Sequence, residues 1–219
     1  MAFTYSDTAA QNDIIEQVER RADQVIATGQ TVPINRKTTY LELVASMREV
    51  FQAAPENLVL PEALDGTADA NTNGTDEGTF FKVPRPDDLI RFERIKLDDW
   101  ARPVDDLVDR HSDLYMLQGN QYCAADKYHP LAALVSGAFE LYPTSANADP
   151  VTEFTYIGAV APEDVSDQLL KDAIIWNAAG RVLQVEHEQA VADQAYQAAL
   201  RILEGKRHGL KGEELPQAE

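Results

Sequence analysis

The stretch D69-A-N-T-N-G74 places oxygen-bearing side chains at alternate positions, Asp69, Asn71 and Asn73, and then a glycine in the sixth place. That spacing matches the first half of an EF-hand loop, in which alternate side chains face a calcium ion and glycine makes the sharp turn. The second half departs from it. The twelfth position, where a bidentate glutamate is needed, is Phe80, and the carboxylates of Asp76 and Glu77 fall at positions eight and nine. Two readings follow: a surface loop, or a weak calcium site built from Asp69, Asn71, Asn73 and Glu77 within a calcium-dependent binding module. The other chemistry-bearing groups give less. His187 lies between Glu186 and Glu188, but neighbouring helical side chains diverge by about 100° and do not converge on an ion. His111, His129 and His208 fall in loop or tail contexts and read as surface histidines. Cys123, near Asp126 and His129, matches no nucleophile signature and reads as a small packed residue. Asp98 and Asp99 form a carboxylate pair beside a turn, where aspartate is a turn former. An enzyme of hydrolase type would need Asp98, Asp99, His111, Cys123 and His129 to converge in a cleft, and no spacing requires it. No catalytic residue and no cofactor site is expected.

The elements that must position these groups follow from periodicity. Ile14, Ile15, Val18, Ala22, Val25 and Ile26 recur at helical spacing over Ala10–Ala27, with Gly29 as the stop. A second helix is expected from Thr39, where T39-Y-L-E42 has capping-box form, with Leu41, Val44, Ala45 and Phe51 as its buried stripe. From Glu62 to Gly78 the composition is that of a loop. Phe80–Pro84 and Leu89–Leu97 read as strands, the second with a bulge. Asp98–Pro103 reads as a turn and Asp113–Gln118 as a short helix or turn. Leu131–Tyr142 reads as a hairpin with Ser136 and Gly137 at its tip, and Val151–Gly158 as a further strand. After a Ser166 cap, Asp167–Glu204 runs without proline at helical spacing, as one bent helix or as two helices broken near E186-H-E-Q189.

The resulting order predicts an α+β fold: an α-helical bundle with an inserted antiparallel β module, a long C-terminal helix and an extended C-terminal tail. The expected divisions are N-terminal bundle helices over 1–60, a flexible loop over 61–79, the β-rich insertion over 80–160, the C-terminal helix or helix pair over 161–204, and the tail over 205–219. The bundle core is expected to be Ile14, Val18, Val25, Leu41, Val44, Phe51, Leu170, Ile174, Trp176 and Val182. The 219 residues suffice for a sizeable core, and no apolar run reaches the ~18 residues of a membrane helix. No secretory signal is read at the N-terminus, and a single cysteine fits a reducing compartment. The net charge of −18 argues against wrapping DNA, though an acidic wall suits a passage through which DNA slides without sticking.

Three stretches together carry a resemblance. F80-F-K-V-P-R-P-D-D-L-I-R-F-E-R-I-K-L-D-D-W100 joins apolar, proline and aspartate positions to an arginine-bearing strand and a tryptophan turn. Y115-M-L-Q-G-N-Q-Y-C123 follows, then strands ending in F139-E-L-Y-P143 and F154-T-Y-I157. Last comes the helix L169-L-K-D-A-I-I-W-N-A-A-G-R-V-L-Q184. In this layout, over about residues 10–204, the chain resembles the head–tail connector proteins of tailed bacteriophages, the adaptors and ring proteins of crAss-like and short-tailed phages. The resemblance implies a structural virion protein without enzymatic activity, assembled in the host cytoplasm. It implies a ring of twelve copies docked beneath the portal protein. Such a ring extends the DNA channel, attaches the tail or other ring proteins, and lets DNA pass unbound during ejection, with no membrane contact. The interface candidates are Trp100, Arg181, Gly205, Lys206, Arg207, Leu210 and Leu215, the last five because the C-terminal segment in that family often reaches into the portal or a neighbouring subunit; by its place after the Asp98–Asp99 turn, Trp100 also reads as a packing anchor. The Asp65–Gly78 loop has no counterpart in the pattern.

Overall fold

The computed structural model describes residues 3–25, 35–55, 59, 62–64, 75–77, 79–120, 122–145, 150–185 and 189–207. It divides into two compact units, one formed by Met1–Leu60 with Ala159–Glu219 and the other by Pro61–Gly158. The first is helical and the second is β-rich, so the chain has an α+β fold.

The helical unit contains α1 (Ala9–Val25), α2 (Arg36–Ala53), α4 (Gln168–Val185) and α5 (Gln189–Arg207). Helix α4 is apolar around most of its circumference because it packs against the other three helices. Its buried residues include Leu170, Ala173, Ile174, Ala178, Gly180 and Leu183. Asp167, rather than Ser166, caps it, its Oδ1 accepting the Leu169 and Leu170 N–H groups at 2.9 Å. Helix α1 buries Ile14, Ile15, Val18 and Ala22 as its periodicity requires.

Helix α2 differs from the sequence reading. It begins at Arg36, three residues before the capping box, because the Asn35 side chain caps it by accepting the Lys37 N–H at 3.0 Å. Its buried face is Tyr40, Leu43, Met47, Val50 and Phe51, with Thr39 and Ser46 beside them. Leu41 is 53% exposed and Val44 half-buried. The apolar pattern was ambiguous because polar groups share the buried face and are satisfied there. Ser46 Oγ donates to the Ile174 carbonyl at 2.7 Å, and Tyr40 OH donates to Glu163 at 3.0 Å. Glu163 also accepts from the buried Gln11 amide at 3.1 Å, tying the start of α1 to α2. Trp176, expected in the core, is half-buried, with the Arg21 guanidinium 5.0 Å from its ring centre. Val25 has no described side chain.

The β unit holds two sheets. The first orders β1 (Glu62–Leu64), β8 (Val151–Gly158) and β4 (Leu89–Leu97), all antiparallel. The second orders β2 (Thr75–Asp76), β3 (Phe81–Pro84), β7 (Ala138–Tyr142), β6 (Leu131–Val135) and β5 (Leu107–Val108). Strands β1 and β2 lie where a loop was expected; backbone pairing with β8 and β3 makes them, and side-chain pattern does not advertise it. The module is not wholly antiparallel, since β5 pairs parallel with β6. The long connection over 109–130 makes that crossover possible. Strand β4 carries register shifts at three places, in line with its imperfect alternation.

Phe81, Val83, Ile95, Leu97, Trp100, Phe139, Leu141, Phe154 and Tyr156 share the main core of the unit. Phe139 and Phe154 meet edge-on at 5.4 Å. Leu131, Ala133 and Tyr142 join a second cluster with Phe80, Val108, Tyr115 and Ala125 packed on it. Strand β6 therefore buries both faces, Ala132 in one cluster and Leu131 and Ala133 in the other, which is why it reads as a continuous apolar run. Ser136 and Gly137 at the β6–β7 tip have φ of 50° and 80°, the left-handed pair of a type I′ hairpin turn.

Candidate interaction surface

The connection from β5 to β6 is the most unusual surface of the described residues. Of the large apolar side chains left exposed, Leu114, Met116, Leu117, Tyr122 and Tyr128 all belong to it. Tyr122 is 87% exposed and Met116 71%. Exposed apolar groups concentrated on one segment mark an interaction site more often than a solvated loop.

The segment is held by its own polar side chains. Asp109 Oδ1 accepts the His111 N–H at 2.6 Å. Ser112 caps the single-turn helix α3 (Asp113–Met116), its Oγ accepting the Tyr115 N–H at 3.3 Å and donating to the Asp109 carbonyl at 2.7 Å. A 3₁₀ turn follows at Leu117–Gly119. The Gln118 side chain accepts the Ala125 N–H and donates to the Leu114 carbonyl, both at 2.8 Å. Asn120 Oδ1 accepts the Tyr122 N–H at 3.1 Å, and Asp126 Oδ1 accepts the Tyr128 and His129 N–H groups at 2.8 Å. Those backbone donors hold the Asp126 carboxyl below its ordinary value.

Tyr115 ties the segment to the sheet. Its ring stands edge-on to Tyr142 at 6.2 Å, and its hydroxyl donates to Glu140 Oε2 at 2.7 Å. Tyr142 OH donates to the same oxygen at 2.9 Å. The hydrogen bond to Glu140, aided by burial, pushes the Tyr115 phenol up; burial, then the same carboxylate, pushes Tyr142 up further. With Tyr115 turned inward, the helical turn carries Leu114 and Met116 outward. The result is a preformed projection held by these hydrogen bonds, with apolar side chains exposed on it.

The residues singled out from sequence fall as follows. Asp98 and Asp99 lie exposed at the turn after β4, where Asp98 Oδ1 accepts from Ser145 Oγ at 2.7 Å and from the Asp99 N–H at 2.9 Å. Cys123 is exposed rather than packed, in a turn where the Asn120 carbonyl accepts its N–H at 3.0 Å. His129 turns its Nδ1 to Asp126 at 3.3 Å, and His111 is exposed beside α3. Glu77 is exposed after β2; Asp69, Asn71, Asn73, His187 and His208 lie outside the described residues. Among the described residues, no three His, Cys, Asp or Glu side chains are grouped to hold a metal ion. No helix among them is long and apolar enough to cross a membrane.

Trp100, an interface candidate, is instead the packing anchor its turn suggests: it is 2% exposed in the core of the β unit, its indole N–H donating to the Pro143 carbonyl at 3.1 Å. Arg181 is turned to its own unit, 2.6 Å from both Glu42 and Glu49. Gly205, Lys206 and Arg207 continue helix α5 instead of starting an extended tail, since one glycine near a helix end costs only about 1 kcal/mol. Leu210 and Leu215 lie outside the described residues. Sequence reasoning missed the surface itself. Its signal was Tyr115–Tyr128, where large apolar residues without period stand among Asn, Gln, Gly and Asp.

No protein-family model matches this chain, and no curated protein matches it.

Proposed function

We propose that this chain is a structural subunit of a head–tail connector of tailed bacteriophages, an adaptor that assembles as a ring beneath the portal, extends the DNA channel and attaches the tail. The observation that supports this reading is the preformed apolar projection on the β unit, a surface suited to protein contacts. The layout of a helical bundle interrupted by a β unit supports the resemblance. The net charge of −18 suits a wall that DNA passes without binding. Trp100 and Arg181 are replaced as contact residues by Leu114, Met116, Leu117, Tyr122 and Tyr128.

The test is mass by light scattering of the full chain, alone and mixed with the portal protein encoded in the same genome. A portal-sized complex carrying added copies of this chain is the expected result. A chain that never joins the portal, nor any other ring of the same tail, overturns the reading.

A further inference from the structure

We infer that the connection from Arg110 to Ala125 is a hinged flap, which swings off the sheet as a unit while the strands stay paired, with the bond from Tyr115 to Glu140 as its latch. The flap lies wholly within the β unit, so it stands or falls apart from the connector reading.

Strand register defines the face that the flap covers. Ala133 lies opposite Glu140, and Leu131 opposite Tyr142, on β6 and β7. Side chains alternate across a strand, so these four share one side of the sheet. Ala132, Phe139 and Leu141 take the other side, in the main core. Val108, the β5 partner of Ala133, and Phe80 complete the covered face.

The cover is thin. Leu131, Ala133 and Tyr142 are buried, yet no described residue from Arg110 to Ala125 is itself buried. Tyr115 and Ala125 are the flap residues packed on the cluster. A segment that buries so little of itself opens at lower free energy than the strands beneath it. The bonds made by Ser112, Gln118 and Asn120 to the Tyr115, Ala125 and Tyr122 N–H groups lie inside the flap, so it keeps its shape as it moves. Its two ends are anchored. Val108 is paired in the β5–β6 ladder, and the Lys127 carbonyl accepts the Ala101 N–H at 2.7 Å.

The latch is a single carboxylate. Glu140 and Tyr142 are two apart on β7, so the Tyr142 hydroxyl bond at 2.9 Å joins neighbours on one strand and orients the carboxylate. The Tyr115 hydroxyl bond at 2.7 Å crosses from flap to sheet. Among the described flap residues, Tyr115 is the one whose side chain hydrogen-bonds a strand. Opening breaks that bond and turns an apolar face to solvent without touching the main core.

The test reads the two faces of β6 with thiols, in the full chain carrying Cys123→Ser. Ala132 and Ala133 are adjacent and both 0% exposed, one in each cluster. Under native conditions iodoacetamide should modify Ala133→Cys at least about 100-fold faster than Ala132→Cys, because the first needs the flap to open and the second needs the unit to unfold. Adding Tyr115→Phe should speed modification of Ala133→Cys about tenfold, the weight of one hydrogen bond to a carboxylate. Adding Phe154→Leu weakens the main core, which is intact whether the flap is closed or open, so it should speed modification of Ala132→Cys about fivefold or more and leave Ala133→Cys unchanged. Leu131→Cys, smaller than the residue it replaces and unable to wedge the flap, should respond to both changes as Ala133→Cys does. Equal rates for Ala132→Cys and Ala133→Cys would overturn the inference. So would covered-face thiols that ignore Tyr115→Phe, or that follow Phe154→Leu as Ala132→Cys does.

Discussion

Gly180 on α4 and Tyr196 on α5 are in contact such that a Cβ at Gly180 would stand 2.8 Å from Cε1 of the tyrosine ring. The close approach of α4 and α5 uses the absence of a side chain at that position. Alanine in a helix is ordinarily worth about 1 kcal/mol more than glycine. Here Gly180→Ala should lower stability by about 1 kcal/mol, because the ring must move and loosen its 2.9 Å hydrogen bond to Gln184. In a Tyr196→Ala background the same change should stabilise by about 1 kcal/mol. Urea unfolding of the four proteins checks it; a gain from Gly180→Ala alone would refute the contact.

Arg181 holds two carboxylates of α2 with different shares. Its N–O distances to Glu42 and Glu49 are both 2.6 Å, but the Glu42 side chain is mostly buried and Glu49 half exposed. Removing Glu42 takes the more buried of its two carboxylates from a partly buried guanidinium and leaves it only the half-exposed Glu49, so Glu42→Ala should cost about 1–2 kcal/mol. Glu49→Ala should cost no more than about 0.5 kcal/mol and lose its effect in high salt. Denaturation midpoints at two ionic strengths separate the two; equal losses would show that burial does not set the ranking.

The β6–β7 tip should respond to residues that favour positive φ. Ser136, at φ 50°, sits where asparagine is better suited, so Ser136→Asn should stabilise by a few tenths of a kcal/mol, on the order of 0.5. Gly137, at φ 80°, should lose about 1 kcal/mol on change to alanine. Thermal melts of both variants give the signs, and a stabilising Gly137→Ala would contradict the turn type.

Tyr40 gives the helical unit an alkaline dependence. Burial, then its hydrogen bond to Glu163, pushes the phenol up to about 12 from its ordinary 10.0. Between those values the unfolded chain has lost the proton and the folded chain keeps it, so stability falls as pH climbs from about 10 to 12. Below 10 this contribution is complete. Urea midpoints from pH 9 to 12 should fall less steeply in Tyr40→Phe than in wild type; parallel curves would show that Tyr40 is not the group responsible.

Much of the fold was legible because periodicity is a property of local sequence. Ile14, Val18 and Ala22 on α1, the apolar run of α4 and the Ser136–Gly137 turn all announce their structure within a few residues. What failed depended on partners far along the chain. Strands β1 and β2 exist through pairing with β8 and β3. The inward face of α2 admits Tyr40 and Ser46 only because Glu163 and the Ile174 carbonyl receive their hydroxyls. Leu41, read as core, is exposed instead, and Val44 is only half-buried. The projection was illegible for a related reason: its order comes from Asx and Ser turns and the Tyr115–Glu140 bond, none of which has a period, and an exposed tyrosine looks in sequence like a buried one.

The pairing of β1 with β8 has a consequence for how the chain reaches its native state. Glu62 lies opposite Tyr156, so the two ends of the β unit are strand neighbours, separated by about 5 Å. The helical unit needs contacts between α1 or α2 and α4, across nearly the whole insertion, and closing so long a loop carries an entropic penalty that grows with its length. Once β1 and β8 have zipped, that loop is already closed. The β unit thus acts as a clasp for the bundle: its formation should accelerate docking of α4 onto the N-terminal helices, and mutations that weaken β1–β8 pairing should slow bundle folding while leaving its own contacts intact.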